Sequence, residues 1–354
     1  MNKSLLEVKK EKNLPDERYD EKLFKQAYKA GLEAKELEKK RKKKRFFLKI
    51  SLSALCILVI TSIVFLLLSF RKEKIEYIET YSTQMHIKME EDIDDISSPL
   101  LGITTNNISA QSALVFDVGS GGVLFEKNIQ ERRAIASITK LLSTLVALES
   151  FNIEDTIEVS LENIPENLDW QLELKEGDRI GVDALLKAML LSSYNDTAYI
   201  LANAYPNGGY TAFIKAMNSK AKSLRMMDSM FSNPAGIDSE QNYSTASDVG
   251  RLISAVVNSE YILNVVGNGS YNISWSSTDG LVSKRVFTTN QLYGVNPYVR
   301  GLKTGITKNA GQCFVGLFEY KDGKQLITVV LGSEDRFTDT ANLERISRGV
   351  LEGK

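Results

Sequence analysis

The chain has 354 residues, of which 43% are hydrophobic and 25% are charged. This composition suits one substantial globular domain with additional segments, and it excludes a compositionally disordered chain. The single histidine, His86, lies in a polar stretch. A Ser-His-Asp triad and a histidine-rich zinc site are therefore both disfavoured.

The small net charge of -1 conceals an uneven distribution along the chain. Residues 1–45 contain 16 Lys/Arg and 9 Asp/Glu, whereas residues 71–354 carry a net charge of -9. An acidic outer part does not suit a polyanionic ligand, so we expect no nucleic-acid partner.

An apolar run separates these two parts and predicts a membrane span over residues 46–70. Its 25 residues form a helix of about 37 Å at ~1.5 Å per residue, enough for a hydrocarbon core of ~30 Å. Seven basic residues, 39–45, precede it, and the charges at 71–74 are mixed in sign. This bias predicts a cytoplasmic N-terminus and places residues 71–354 outside the cell membrane. The run is too long for a cleaved signal peptide and lacks a small-residue cleavage site, which favours a signal anchor.

These boundaries predict four segments. Residues 1–45 form a basic cytoplasmic tail, residues 46–70 the transmembrane anchor, residues 71–108 an extracytoplasmic stalk and residues 109–354 a catalytic domain. As a flexible chain, the polar stalk has an end-to-end distance of about 35 Å. The two cysteines, Cys56 and Cys313, are expected in different compartments, so no intrachain disulfide is predicted.

The globular part begins and ends with strand patterns. Residues 113–118 and 123–126 predict two strands joined by a glycine-rich turn, and residues 312–320 and 325–332 predict a hairpin. The predicted helices lie at 140–148, 182–190, 210–224, 246–257 and 339–351. This order predicts an α+β fold, with an antiparallel β-sheet flanked by helices and a helical insertion.

The first chemical motif is Ser137-Ile138-Thr139-Lys140. Helical residues three apart share a face, so the Lys140 amine is expected beside the Ser137 hydroxyl. Ser137 is the candidate nucleophile and Lys140 its base. Lowering a lysine pKa from near 10.4 to about 7 needs roughly 4 kcal/mol from burial and nearby positive charge, which Lys303 supplies if it lies close.

Two further motifs follow, Ser193-Tyr194-Asn195 and Lys303-Thr304-Gly305. Ser193–Asn195 is predicted on a turn between two helices. Related strings at Ser219–Lys222 and Ser270–Asn272 are interpreted as a solvated helix and as a loop or strand entry. In this order the three motifs indicate a serine acyl-transfer site with a lysine base.

Longer stretches around the motifs carry a family resemblance. They are Ala136–Lys140 leading into Leu145–Glu149, Asn195–Ala198, Phe231–Asp238, and Gly301–Thr307 running into Ala310–Cys313. Over about 245 residues from Ser109, the chain resembles the serine-type D-alanyl-D-alanine carboxypeptidases, which are low-molecular-mass penicillin-binding proteins. The resemblance implies a β-lactamase/transpeptidase-like fold, and a substrate that is a peptidoglycan stem peptide ending in D-Ala-D-Ala. β-Lactam antibiotics are implied as covalent inhibitors, and no metal or organic cofactor is implied.

The resemblance also implies a role for each motif residue. Ser137 attacks the carbonyl between the two D-alanines, Lys140 takes its proton, and Ser193 relays a proton to the leaving amine. Asn195 binds the substrate amide, while Lys303 and Thr304 receive the terminal carboxylate. The implied substrate-binding residues are Asn195, Lys303, Thr304, Gly305 and Ile306. Backbone N–H groups of Ser137 and Ile306 form the implied oxyanion hole.

The chain departs from the family pattern in two places. Tyr194 stands where the family usually has glycine, which predicts a narrower groove or an additional stacking surface. Trp170 has two open interpretations, as a groove residue or as the anchor of a loop. The chain also stops soon after its last helix, without the C-terminal β domain and anchor of many relatives, and the span at 46–70 is expected to replace that anchor.

Three alternative functions remain open at this point. A serine β-lactamase needs a deacylating glutamate, and Glu260-Tyr261-Ile262-Leu263-Asn264 matches the corresponding string. Glu260 follows Thr245–Asp248 and is expected at a helix end, which disfavours that role. The others are a D,D-endopeptidase acting on cross-links and a non-catalytic cell-wall scaffold.

Overall fold

The computed structural model describes Lys40, residues 108–206 and residues 208–352. The two long ranges belong to the second of two compact units, Tyr77–Lys354. The predicted tail, apart from Lys40, the predicted span at 46–70 and the predicted stalk up to residue 107 lie outside the described residues. None of the described helices is long and apolar enough to cross a membrane.

Within the described ranges, nine strands form two antiparallel sheets. They are β1 (Ser112–Asp117), β2 (Val123–Lys127), β3 (Thr156–Glu158), β4 (Arg179–Gly181), β5 (Ser270–Ser277), β6 (Gly280–Phe287), β7 (Val299–Thr307), β8 (Gly311–Glu319) and β9 (Gln325–Ser333). The larger sheet has the order β2-β1-β9-β8-β7, and the smaller has the order β3-β4-β5-β6. The first and last strands of the described residues therefore pair with each other, since β1 lies beside β9.

Both faces of the larger sheet are covered, which explains why its three central strands, β1, β9 and β8, are largely apolar. In β1, Leu114 and Phe116 face one hydrophobic core, while Ala113 and Val115 face the other. This alternation is the two-residue period of a strand, here with an apolar residue on each side. The second core also contains Leu343 of the last helix.

Seven α-helices complete the described structure. They are α1 (Thr139–Ser150), α2 (Val182–Lys187), α3 (Asn195–Asn203), α4 (Gly209–Ser223), α5 (Ala246–Val256), α6 (Glu260–Val266) and α7 (Arg336–Leu351). The expected α+β architecture with a helical insertion between the sheet halves is confirmed. The helix predicted at 182–190 is wrong in detail, because α2 ends at Lys187 and a π-turn, Ala188–Ser192, follows it.

The site-bearing elements meet where α1 begins. A 3-10 turn, Ala136–Ile138, leads into α1, whose first nine residues are buried. The edge strand β7 passes close to this turn, because a Cβ on Gly305 would lie 3.0 Å from the Ser137 nitrogen. Glycine therefore permits the approach of β7 to the N-terminus of α1.

Candidate active site

The Ser137 hydroxyl and the Lys140 amine lie in direct contact at the start of α1. Lys140 Nζ donates a hydrogen bond of 2.7 Å to Ser137 Oγ, as the three-residue spacing predicts. Ala136, immediately before the serine, has a φ of 48°. A left-handed non-glycine residue is strained backbone, and such strain concentrates at functional sites.

Gly236 explains how this strained turn is accommodated. Its φ is 82°, and a Cβ built there would lie only 1.9 Å from the Ala136 carbonyl oxygen. Only glycine allows the 231–238 segment to lie so close to the serine turn. Ala235, the preceding residue, contributes its carbonyl oxygen to the site.

The Lys140 amine is the centre of a converging set of contacts. Besides Ser137, it donates to Asn195 Oδ1 at 2.7 Å and to the Ala235 carbonyl at 2.7 Å. Lys140 has no exposed surface. The amine is therefore fixed in position by partners from three separate parts of the chain.

Burial lowers the pKa of Lys140 well below its ordinary value, and the positive charge of Lys303 lowers it further. Asp196 acts in the opposite direction and raises it. A lysine is a proton acceptor only when it is neutral, so this environment favours the form that can take a proton from Ser137. The expectation that burial and Lys303 would supply the shift agrees with this arrangement.

The Ser193–Asn195 turn presents its side chains from a strained backbone. Ser193 has a φ of 63° and ends the π-turn, and Asn195 begins α3. The Asn195 backbone nitrogen donates to the Trp170 carbonyl at 2.9 Å, and its amide Nδ2 donates to the Asp169 carbonyl at 2.7 Å. These bonds orient the amide so that Oδ1 meets the Lys140 amine.

Asp196 holds this turn to the preceding loop. Its carboxylate is 1% exposed and accepts from the backbone nitrogens of Leu172 at 2.9 Å, Glu173 at 3.0 Å and Thr197 at 2.9 Å. Burial raises the pKa of this carboxyl despite those donors. Asp196 directly follows the Ser-Tyr-Asn motif and lies in the Asn195–Ala198 stretch, but it is not among the predicted site residues.

The third motif lies on β7, and its three residues, Lys303, Thr304 and Gly305, are all buried. Lys303 is 1% exposed, and its amine donates to the Thr304 carbonyl at 3.1 Å. Burial lowers the pKa of Lys303 to about 7, with a further contribution from the charge of Arg336. The Thr304 and Thr289 hydroxyl oxygens lie 2.5 Å apart.

Arg336 is a site residue that sequence reasoning missed. It begins α7, and its Nη1 donates to the Gly305 carbonyl at 2.7 Å. Because α7 packs against the sheet, the guanidinium reaches the same strand as Lys303. Arg336 lies 31 residues after Gly305. No local helix or turn spacing connects it to the Lys-Thr-Gly motif, so the sequence does not indicate its role.

All three motifs border one cleft of about 650 Å³. Its lining residues are Ser137, Pro165, Asn167, Leu168, Asp169, Trp170, Ser193, Asn195, Gly236, Ile237, Asp238, Thr289, Thr304, Gly305, Ile306, Thr307, Lys308 and Arg336. Six of the eight predicted site residues therefore line the cleft. Lys140 and Lys303 are buried behind the lining, so their amines act on the cleft from its interior side.

Tyr194 does not narrow the cleft, which corrects one of the two expectations for it. Its ring stacks on Trp170, with the ring centroids 6.2 Å apart. Lys284 Nζ also contacts the Tyr194 ring, at 5.0 Å from the ring centroid. The additional stacking surface exists, but it supports Trp170. Trp170 itself is both a cleft residue and a loop anchor, because its indole Nε1 donates to the Ser192 carbonyl.

The competing motifs lie elsewhere. Ser219–Lys222 lies on α4 and Ser270–Asn272 opens β5, as predicted. Glu260 lies at a helix end, as expected, since it is the first residue of α6 and follows the N-cap Ser259. It is exposed and does not line the cleft. Across residues 108–206 and 208–352, no group of three His, Cys, Asp or Glu residues is arranged to hold a metal ion.

The family model described as D-alanyl-D-alanine carboxypeptidase, of the peptidase S11 family, matches residues 100–335. A D-alanyl-D-alanine endopeptidase of Escherichia coli is 31% identical over 259 residues, which cover 70% of this chain and 79% of that protein. The family match therefore spans well over half of the chain and includes all three motifs.

Solved structures agree with this assignment. The Streptomyces K15 DD-transpeptidase has a TM-score of 0.66 and 26% identity, over 70% of this chain and 100% of that one. Penicillin-binding protein D2 of Listeria monocytogenes, in its ampicillin-bound form, has a TM-score of 0.58 and 28% identity, over 68% and 97% of the two chains. From its fold, its motifs and these matches, the chain belongs to the D-alanyl-D-alanine carboxypeptidase family of serine-type peptidases.

Proposed function

We propose that this protein removes the terminal D-alanine from peptidoglycan stem peptides, through an acyl-enzyme on Ser137. The observation that carries the proposal is the contact of the buried Lys140 amine with both Ser137 and Asn195. It places a base of lowered pKa beside a hydroxyl that opens onto a cleft. A serine nucleophile beside a lysine base can carry out acyl transfer without histidine.

The first half of the reaction begins with neutral Lys140. It accepts the Ser137 proton as Oγ bonds to the carbonyl carbon between the two D-alanines, giving a tetrahedral oxyanion. Backbone N–H groups of Ser137 and Ile306 are proposed to stabilise that charge. The C–N bond then breaks, and Ser193 relays a proton to the departing D-alanine amine.

The second half restores the enzyme. Water attacks the ester carbonyl, and Lys140 is again the proposed proton acceptor. The ester C–O bond breaks, Ser137 regains its proton, and a stem peptide shorter by one D-alanine leaves. Asn195 is proposed to hold the substrate amide in both halves, because its own amide is fixed by the Asp169 carbonyl.

The substrate carboxylate is proposed to bind at the basic side of the cleft. Thr304 offers a hydroxyl and Arg336 a guanidinium, and both line the cleft. Lys303 adds a buried positive charge directly behind them. Arginine beside a threonine hydroxyl suits a carboxylate, because charge-assisted hydrogen bonds are stronger than neutral ones. Lys303 and Thr304 are the carboxylate-binding residues that the family resemblance implies, and the proposal keeps both and adds Arg336.

The alternatives differ in what happens after acylation. Glu260 lies outside the cleft, so the β-lactamase alternative lacks its deacylating group. β-Lactams are instead proposed to acylate Ser137 and remain bound, in line with the ampicillin-bound relative. The E. coli relative is named an endopeptidase, so hydrolysis of cross-links is the second candidate activity.

A labelled penicillin separates these outcomes. The detergent-solubilised full chain is expected to form a long-lived adduct that mass spectrometry locates on Ser137, and Ser137→Ala is expected to form none. Rapid release of hydrolysed penicillin would favour a β-lactamase. Comparing a monomeric stem peptide with a cross-linked dimer then distinguishes carboxypeptidase from endopeptidase action.

We further propose that residues 46–70 anchor the protein in the cell membrane as a single span. The cytoplasmic N-terminus and the extracytoplasmic catalytic domain are supported by the seven basic residues at 39–45 and the mixed charges at 71–74. Protease added to intact spheroplasts is expected to digest the catalytic domain and spare a tag at residue 1. Digestion of the tag under those conditions contradicts this topology.

A further inference from the structure

Trp170 is an exposed aromatic residue in a strained position at the cleft. Its side chain is 61% exposed, and its φ is 57°, a conformation that bulky residues rarely adopt. The backbone carbonyl accepts from the Asn195 nitrogen at 2.9 Å, and the indole Nε1 donates to the Ser192 carbonyl. The residue is thus held in place from both its backbone and its ring edge.

Tyr194 supports this ring from behind. The two ring planes are inclined by 28° with centroids 6.2 Å apart, an offset stack. Lys284 lies against the Tyr194 ring and completes the support from β6. A residue needed only as a loop anchor gains nothing from exposure, yet most of the Trp170 side chain remains open. The exposed surface is therefore available to a ligand in the cleft.

The two sides of the cleft differ in charge. Residues 160–176, which include Trp170, contain five exposed carboxylates, and their one basic residue, Lys175, is paired with Asp279. Asp169, next to Trp170, lines the cleft. The other side carries Lys303, Lys308 and Arg336. Its one cleft-lining carboxylate, Asp238, accepts hydrogen bonds from Thr307 Oγ1 and the Asn309 nitrogen. A ligand that spans the cleft is favoured if it is anionic at one end and cationic at the other.

We propose that Trp170 is a specificity-determining residue that contacts the side chain directly before the D-Ala-D-Ala pair, a long aliphatic side chain ending in an amine. This inference rests on the proposed D,D-peptidase function. With the terminal carboxylate near Thr304 and Arg336, the substrate chain runs past Asn195 toward Asp169 and Trp170. The indole face packs on the aliphatic stem and attracts the ammonium group, and Asp169 provides the opposite charge.

The proposal also gives Tyr194 a role. As a positioning residue, it keeps the Trp170 ring at the cleft and does not contact substrate. Glycine at position 194 would remove the stack and leave the indole held by its hydrogen bonds alone. Substitution of Tyr194 is therefore expected to weaken the same substrate preference that depends on Trp170.

Three peptides ending in D-Ala-D-Ala test the proposal, carrying lysine, Nε-acetyl-lysine or alanine before that pair. With the full chain, kcat/KM is expected to be about fivefold higher for lysine than for acetyl-lysine, the scale of one cation–π contact. Trp170→Ala should bring the lysine-to-alanine ratio close to one, and Asp169→Asn should reduce the lysine-to-acetyl-lysine ratio. Tyr194→Gly should lower the lysine-to-alanine ratio in part.

Phe287→Ala is the matched control. Phe287 is also an exposed aromatic residue, at 56%, but it lies on β6 outside the cleft lining. This variant should keep the wild-type ratios. Ratios within one enzyme cancel any general loss of activity, so they separate substrate contact from structural damage.

The possible results distinguish a failure of this inference from a failure of the proposed D,D-peptidase function. Equal kcat/KM for all three peptides with the wild-type chain overturns the inference and leaves the D,D-peptidase function intact. No turnover of any peptide by a chain that penicillin acylates overturns the proposed function itself. If Trp170→Ala does not fold, Tyr194→Gly tests the role of the Trp170 ring, and a wild-type lysine-to-alanine ratio in that variant overturns the inference.

Discussion

Replacing Lys303 with methionine tests the buried charge that the site depends on. The pKa of Lys303 is about 7, because burial and Arg336 disfavour its charged form. In the unfolded chain the same amine titrates near 10.5. Between these two values the unfolded state binds more protons, so stability rises with pH across this window and falls as pH decreases toward 7.

The magnitude follows from the two pKa values. Each pH unit inside the window is worth up to about 1.4 kcal/mol, and little changes below pH 7, where both states are protonated. Between pH 6 and pH 9 the wild-type chain should gain about 3 kcal/mol relative to Lys303→Met. The variant also removes the positive charge that lowers the pKa of Lys140. Lys140 then contributes less to the pH dependence of stability in the variant, which adds to the difference between the variant and the wild type.

Denaturant unfolding at pH 6, 7, 8 and 9 measures this difference. The exposed Lys308 in the same cleft provides the matched control, and Lys308→Met should run parallel to the wild type. Stability curves of wild type and Lys303→Met that stay parallel from pH 6 to pH 9 would refute the reasoning. In that case Lys303 would keep its proton in the folded protein throughout.

Three further predictions concern the nucleophile, the carboxylate side and the base. Gly236→Ala places a Cβ 1.9 Å from the Ala136 carbonyl oxygen, so penicillin acylation should slow by about 100-fold. Gly323→Ala, with a similar φ of 83° and open space around it, should acylate normally. Arg336→Gln should raise KM for the peptide about tenfold with a smaller change in kcat, since its charge is proposed to bind the substrate carboxylate; an unchanged KM argues against that contact. The acylation rate should rise with pH as Lys140 loses its proton and reach half its maximum well below pH 10.5, because burial lowers the pKa of Lys140; a rate still rising steeply at pH 10 contradicts its role as base.

The catalytic pair could be predicted from the sequence because its geometry is local. Ser137 and Lys140 are three residues apart at a helix start, and helix geometry alone brings them together. The same holds for Ser193 and Asn195, which share one turn. Four of the five strands of the larger sheet were also visible, since β8 and β9, for example, are long apolar runs joined by an Asp-Gly turn, whereas β7 was not predicted as a strand.

What the sequence did not reveal depends on contacts between distant segments. Arg336 reaches Gly305 only because α7 packs on the sheet, and Asp196 collects backbone donors from a loop 23 and 24 residues earlier. The smaller sheet was missed for a related reason. Strands β3 and β4 have only three residues each, which is too short for a periodic pattern, and β5 and β6, with eight residues each, are mostly not buried and so lack a continuous apolar run.

Tyr194 shows the limit of reasoning from one substituted position. Its replacement of glycine suggested a narrower groove, but the direction of a side chain on a strained turn cannot be read from the sequence. Ser193 at φ 63° turns the backbone so that the ring meets Trp170 and Lys284. Both partners are distant in sequence, so only the fold reveals the stack.

Release of D-alanine from a stem peptide ending in D-Ala-D-Ala tests the central claim most directly. The full chain and Ser137→Ala are compared in the same assay, with penicillin acylation of the wild type confirming a folded site. Release by the wild type alone is the predicted result. Equal release by Ser137→Ala, or no release by a wild-type chain that penicillin acylates, contradicts the proposed carboxypeptidase mechanism.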